Sequence, residues 1–368
     1  MSAIAFVWDN YGPMHVDRCQ AVASGRAEPV IGIEFFSKSS VYDWKTESGA
    51  AFEKVTLFSG GGWKDTGAWA MAKGIVSVCR ARDARHVFLC HYEQPGIFLA
   101  AILLRLLGRR VFAMGCSKFD DQPRKAWREA LKSLFFLPYH GAISSGIRSA
   151  DYMRFLGIPA GMVATEYNTL SIERIRRLSG KAVAPEGTAF AERHFTIIAR
   201  LVPKKNLFMA LDAYAHYRER TAQPRPLHIC GSGPLEADLR TRIAELGLQE
   251  LVILRGFIQT AEISSVLGDT LAMLLPSIEE QFGNVVIEAQ AMGVPVILSD
   301  NCGARDRLIR GGVNGFIIEP DNPEGLAYFM ALLDGDETLW RRFAEAAAAR
   351  SVRGDVANFL GAVSALMN

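Results

Sequence analysis

Two glutamates raise the first chemical question. In EEQFGNVVIEAQAMGVPVILSD (279–300), Glu280 stands just before a Phe-Gly-Asn turn. Glu288 lies eight residues on, inside a segment that reads as a buried helix. A merely solvated carboxylate has no reason to sit there, whereas one that accepts from hydroxyl groups does. The turn would open a helix at Gly283 or Asn284, and backbone N–H groups at a helix start attract anions. The plainer alternative pairs Glu288 with a neighbouring arginine and leaves Glu280 in water. A second stretch, IIARLVPKKN (197–206), sets Arg200 and Lys205 just after an apolar run. Such cations either clamp a diphosphate, one as a planar fork and one as a point charge, or form a solvated basic loop. In CGSGPLE (230–236), Gly231 and Gly233 permit either the approach of a ligand or a tight turn. Glu236 stands where a dinucleotide fingerprint needs a small residue, and Pro234 suits a plain strand–turn–helix junction.

Apolar runs alternate with helical patterns and so position these residues. Strands are expected at 4–8, 86–90, 110–114, 141–145, 195–199, 226–230, 251–256, 271–276 and 294–298. Helical segments such as PLEADLRTRIAELG (234–247) lie between most of them. This alternation predicts parallel sheets with crossover helices, and the near-continuous apolar strands predict sheets covered on both faces. A length of 368 residues favours two domains. The polar stretch 171–193, with Pro185 and Gly187, reads as the link between a domain over 1–170 and another over 194–350. A helical tail over 351–368 is expected to pack back on the first domain. Two α/β domains of similar size predict a cleft, with ligands outside the carboxyl ends of the strands.

Composition excludes several classes. Apolar residues make up 49% and charged residues 22%, with a net charge of +2 and no long basic block, so nucleic acid is not the expected partner. Six scattered cysteines without a C-x-x-C pair predict neither a zinc site nor a disulfide framework, which fits a reducing cytoplasm. The first residues read as a strand rather than a signal peptide, and the longest apolar run, 96–104, is too short to span a bilayer.

The C-terminal half resembles retaining glycosyltransferase family 4, enzymes of the GT-B fold. Glu280, seven residues and then Glu288 matches that family's glutamate-x7-glutamate signature. ARLVPKKN, ICGSGPL, LRGFI, PSIEEQFG, IEAQAMGVPVI, CGARDRLI and GGVNGFIIEPDN follow in the family's order. The resemblance implies two Rossmann-like domains facing each other across a cleft. It implies a nucleoside diphosphate sugar donor, UDP- or GDP-linked, with no cofactor and no metal. Arg200 and Lys205 would hold the diphosphate, and Glu288 the ribose. Glu280, with backbone amides near Phe282, Gly283, Asn284 and Val285, would hold the sugar and phosphates. The backbone of Gly256, Phe257 and Ile258 would face the base, and Gly231 and Gly233 would flank the nucleotide.

The N-terminal half departs from the pattern. The loop DNYGPMHVDR (9–18) offers Gly12, where the family brings a glycine to the donor phosphates, and His15, either near the cleft or packed. The histidine that many members carry after a later strand is missing. GCSKFDDQPRKAW (115–127) resembles a subgroup with Ser117, Lys118, Asp121 and Arg124 in a Ser-Lys-x-x-Asp-x-x-Arg loop. Asp121 would touch the acceptor or the sugar, and His91 is a further candidate. The implied reaction is transfer with retention to a hydroxyl of a glycan, glycolipid or small molecule, in polysaccharide or glycoconjugate synthesis. Rival readings are a GT-B nucleoside-diphosphate-sugar 2-epimerase and a non-catalytic nucleotide-sugar-binding subunit. LLRLLGRR (103–110) and RKAWREALKSLFF (124–136) mix basic and apolar residues, which fits either peripheral contact with the inner membrane face or ordinary crossover helices. The sequence does not specify an oligomeric state.

Overall fold

A strand that sends apolar side chains to both faces needs cover on both sides. The computed structural model, which describes residues 1–37, 51–60, 62–121 and 123–368, supplies it in two compact units. The first unit comprises Met1–Ser171 and Val356–Asn368, the second Ile172–Asp355.

In the first unit, strands β1 (Ala3–Trp8), β2 (Val30–Phe36), β3 (Glu53–Phe58), β4 (Ala84–Leu89), β5 (Arg110–Gly115), β6 (Gly141–Ser144) and β7 (Val163–Ala164) form one sheet. Its order is β3-β2-β1-β4-β5-β6-β7, with parallel pairing throughout. Ala3, Ala5 and Val7 enter one apolar cluster, and Ile4, Phe6 and Trp8 enter another on the opposite face. That is the two-residue period of a strand buried on both sides. On the second face the rings of Phe6 and Phe88 stack at 5.0 Å, and those of Phe88 and Phe112 at 4.7 Å. Phe359 of the helix Val356–Met367 leans on Phe6 at 5.6 Å, so the C-terminal helix covers this aromatic layer. Arg110 donates to the carbonyls of Met367 (2.7 Å) and Leu366 (3.0 Å). A cation there satisfies orphan carbonyls and the negative end of the helix dipole.

In the second unit, β8 (His194–Ile198), β9 (Leu227–Cys230), β10 (Val252–Gly256), β11 (Thr270–Leu275), β12 (Val296–Ser299) and β13 (Gly315–Ile318) form a parallel sheet in the order β10-β9-β8-β11-β12-β13. All of β8, β11 and β12 is buried. Strand order reverses between β8 and β11 here, and between β1 and β4 in the first unit. Ligands of open α/β sheets bind outside the carboxyl ends of strands at such switch points. The architecture is therefore α/β with two Rossmann-like domains, as in the GT-B fold. Among the described residues, no helix is long and apolar enough to cross a membrane.

Four strands lie outside the set expected from sequence. β3 is an edge strand without a buried residue, whose polar residues dilute its pattern, β7 has only two residues, and β13 is a four-residue edge strand with Ile317 exposed. β2 carries Glu34, whose buried carboxylate accepts from the Tyr11 N–H (3.0 Å) and the Thr56 hydroxyl (2.6 Å) and lies 3.1 Å from Lys54 Nζ. The segment 171–193 is not simply a link. It contains the helix Ile172–Ser179, which buries Ile172 and Ile175 and counts with the second unit. Its dense Arg and Glu residues hide that apolar pair. The tail divides at Val356 rather than at 351, because Ser351–Gly354 is a short turn of the second unit.

Candidate functional site

The second unit gathers most of the expected residues at the carboxyl ends of four neighbouring strands, β10, β9, β8 and β11. After β8 the chain passes exposed Arg200 and makes a short turn, Pro203–Lys205. Asn206 then anchors it by donating to the carbonyls of Pro276 (3.1 Å) and Pro320 (2.6 Å). After β11 the loop runs alongside this turn. The Ile278 N–H donates to the Lys204 carbonyl at 2.9 Å. Two ion pairs join the loops. Lys204 lies 3.1 Å from Glu279, and the Lys205 ammonium is in direct contact with the Glu280 carboxylate. The first pair is about two-fifths exposed, whereas Lys205 and Glu280 are only 13% and 16% exposed. The inner pair therefore sits where water screens it less.

Glu280 is held from behind. It pairs with Cys302 as a single parallel bridge, and its carbonyl accepts from the Gly303 N–H at 3.1 Å. Burial, and then the Glu280 carboxylate, push the Cys302 thiol up to about 12. It stays protonated and donates to the Phe282 carbonyl at 2.9 Å. The Phe282 side chain is core, so only its backbone can serve a ligand. Gly283 has φ +97, and an added Cβ would press on Leu275, Cys302 and Glu280. The helix Val285–Ala291 follows, with Asn284 at its cap and half-buried Glu288 in its first turn.

Gly231 and Gly233 are required by the protein itself. A Cβ at Gly231 would collide with the Ala199 carbonyl, and one at Gly233 with the Leu201 carbonyl. The glycines let the loop after β9 lie on the loop after β8. The Gly231 N–H also donates to the Gly256 carbonyl at 2.8 Å, bringing Gly256, half-exposed Phe257 and Ile258 into the same group. Sequence reasoning did not single out the outer Lys204–Glu279 pair or the clamp by Cys302 and Gly303. The only signal was their place in the PKKN and CGARDRLI stretches.

The remaining candidates belong to the first unit. Gly12 caps the helix Pro13–Gly25, and its N–H donates to His15 Nδ1 at 3.1 Å. The His15 ring packs 4.7 Å from Trp8, and burial, reinforced by Arg18, lowers its pKa to about 3. It is a neutral packed cap. His91, just after β4, is different. Nε2 lies 3.6 Å from Asp9 and Nδ1 3.5 Å from Glu93. Burial opposes its charge, but Cys90, Asp9 and Glu93 outweigh that and hold its pKa well above the usual value. Asp9 and His91 thus flank the first unit's switch point. Asp121 is engaged within its own loop. Oδ2 accepts from the Lys118 N–H (2.8 Å), and Oδ1 lies 3.5 Å from the Lys118 ammonium. Arg124 completes this loop by donating to the carbonyls of Lys118 (2.6 Å) and Phe119 (3.0 Å) and to the Tyr152 hydroxyl (3.0 Å).

Fold and site together define a two-domain Rossmann-like protein with a charged loop cluster at the switch point of its second sheet. Residues 185–350 match the family model described as Glycosyl transferases group 1. The chain is similar to a putative colanic acid biosynthesis glycosyltransferase of Salmonella typhimurium, with 27% identity over 67% of this chain and 60% of that protein. It is also similar to the lipopolysaccharide 1,6-galactosyltransferase of the same organism, with 30% identity over 50% of this chain and 49% of the relative. The aligned part thus spans 60% or less of these curated relatives. Among solved structures, Anabaena HepE in complex with UDP and glucose superposes with a TM-score of 0.72 at 18% identity, over 99% of this chain and 98% of that one. The lipopolysaccharide outer core galactosyltransferase WaaB in its apo form gives 0.73 at 17% identity, over 99% of both chains. At these identities the solved structures show the shared fold.

Proposed function

We propose that the protein is a retaining glycosyltransferase of family 4 that moves a hexose from a nucleoside diphosphate donor to an acceptor hydroxyl. The observation that carries this reading is the convergence of Lys205, Glu280, Arg200 and the Gly283 turn beside the β8/β11 switch point, in a segment that matches Glycosyl transferases group 1. The names of the relatives, which point to colanic acid biosynthesis and lipopolysaccharide galactosyl transfer, support a polysaccharide or glycolipid acceptor. The UDP in the HepE complexes makes a UDP-sugar the first donor to test and a GDP-sugar the second.

In this reading Arg200 and Lys205 hold the diphosphate, Glu280 the sugar hydroxyls and Glu288 the ribose. Gly231, Gly233, Gly256, Phe257 and Ile258 shape the nucleotide seat. The bond from C1 to the β-phosphate oxygen breaks, and the acceptor oxygen bonds to C1 on the same face. The acceptor proton passes to the departing phosphate. Negative charge grows on that phosphate, and fixed cations stabilise it without reorganising. Because the two side chains supply this charge, transfer proceeds without a metal. His91, charged and held by two carboxylates, is the first-unit residue best suited to meet a sugar hydroxyl.

A thermal-shift panel with UDP-, GDP- and ADP-sugars tests the donor class, since a ligand that binds only the folded state stabilises it. One donor should stand out, and a flat panel would defeat the reading. An epimerised sugar from donor incubated alone would instead favour the 2-epimerase. Donor binding without turnover in any acceptor extract would favour a non-catalytic subunit.

A further inference from the structure

The helix Ala126–Leu134 of the first unit buries only Glu129. Trp127, Leu131 and Leu134 recur at helical spacing on one exposed face, and Leu137 just beyond the helix is 70% exposed. Arg105 donates to the carbonyls of Leu137 (3.2 Å) and Pro138 (3.0 Å), which ties the end of the helix Pro95–Leu106 to this strip, and Leu106 and Leu107 at that end are also exposed. A strip this apolar marks an interaction surface.

Its charges say what kind. A cavity of about 400 Å³ opens beside the strip, walled by Tyr92, Trp127 and Phe135 and by Arg124, Arg128 and Lys132. Glu93 and Glu129 also line it, and each already has a partner. Glu93 faces His91 at 3.5 Å, and Glu129 accepts from the Tyr152 hydroxyl at 2.5 Å and lies 3.5 Å from Arg124. Lys132 donates to the Tyr152 hydroxyl (2.8 Å) and lies over the Tyr92 ring at 5.5 Å, and Arg128 lies over the Trp127 ring at 5.2 Å. Among the described residues, neither cation has a carboxylate partner. Half-buried Lys132 feels Glu129 and Glu93 from within the same lining, but the three cations of the cavity outnumber these two carboxylates, so the cavity is net positive.

We propose that this face docks on an anionic lipid bilayer, with a lipid phosphate seated in the cavity between Lys132 and Arg128. Trp127, Leu131, Leu134 and Leu137 enter the interface around it. Aromatic and aliphatic side chains ringed by cations are the composition that interfacial helices use. The proposal does not depend on the donor chemistry of the second unit.

Vesicle flotation tests it, with phosphatidylcholine alone and with phosphatidylglycerol added. The protein should float with the anionic vesicles and lose that binding as salt rises. R128Q/K132Q should bind about 30-fold more weakly, at about 1 kcal/mol per cation. W127S/L131S should weaken binding while removing exposed groups that the fold does not need. Glu280→Ala should float like the wild type, which separates this result from any failure of the transferase reading. No flotation of the wild type, or equal flotation of R128Q/K132Q, would overturn the proposal. So would full displacement by millimolar glycerol phosphate, which would make the cavity a site for a free phosphate ester.

Discussion

Lys205 and Glu280 lie in contact between loops that leave neighbouring strands, and each limits the other's movement. An ammonium has three N–H donors, so Lys205 can keep Glu280 and still donate to a phosphate oxygen. Lys205→Ala should lower donor turnover by about 10²-fold or more. Because Lys205 is only 13% exposed and its loss leaves the Glu280 carboxylate without its partner, the thermal midpoint should fall as well, with the fold retained at assay temperature. Steady-state kinetics and a melt on the same sample check both halves. The two histidines of the first unit separate at this scale as well. His15, buried and bonded to the Gly12 N–H, stays neutral down to about 3, whereas His91 carries charge at neutral pH. Its raised pKa makes His91⁺ a stabilising group at low pH, and that contribution fades as pH rises through the folded value. Asp9→Asn removes one of its carboxylates and should lower the His91 titration midpoint, as read by NMR of the ring protons. An unchanged midpoint would mean that Asp9 does not hold the charge.

The elements were unevenly legible in the sequence. Fully buried strands such as β1, β8 and β11 announce themselves as apolar runs, and each strand expected from sequence falls within a residue or two of its observed place. Edge strand β3 does not, because none of its residues is buried. The Glu280/Glu288 spacing marks the loop and helix after β11, yet nothing in it shows that Lys205 reaches across to Glu280. That contact depends on which strands are neighbours. The first-unit candidates were hardest to read, because His15, in the first turn of a helix, and Asp121, in a short loop turn, each bond to a backbone N–H three residues away. Two predictions belong here. Phe359→Ala removes the ring that closes the aromatic layer over β1, and should cost about 3–5 kcal/mol of the first unit's stability. Chemical denaturation would show a lower midpoint. On β8 and β9, the rings of His194 and His228 lie 3.8 Å apart, and burial first, then His228 and Arg255 respectively, lower both pKa values to about 4. The unfolded chain protonates these rings near 6.5, so their contribution is complete above that pH and is lost as pH falls toward about 4. The urea midpoint should drop between neutrality and pH 5, and H194N/H228Q should flatten that slope.

At the scale of the whole molecule, each unit repeats one plan, a parallel sheet covered on both faces with its functional loops at the carboxyl ends. The second unit concentrates its charged loops beside the β8/β11 switch point. The first bears a charged histidine at its switch point and, on another face, an apolar strip beside a cationic cavity. The measurement that tests the central claim most directly follows nucleoside diphosphate release from a UDP- or GDP-sugar in the presence of an envelope extract. NMR reads the anomeric configuration of the glycosylated product, and the wild type is compared with Glu280→Ala. The account predicts acceptor-dependent release, a product of the donor's anomeric configuration, and loss of turnover in the variant with its fold intact. An inverted product, or a Glu280→Ala variant as active as the wild type, would contradict it.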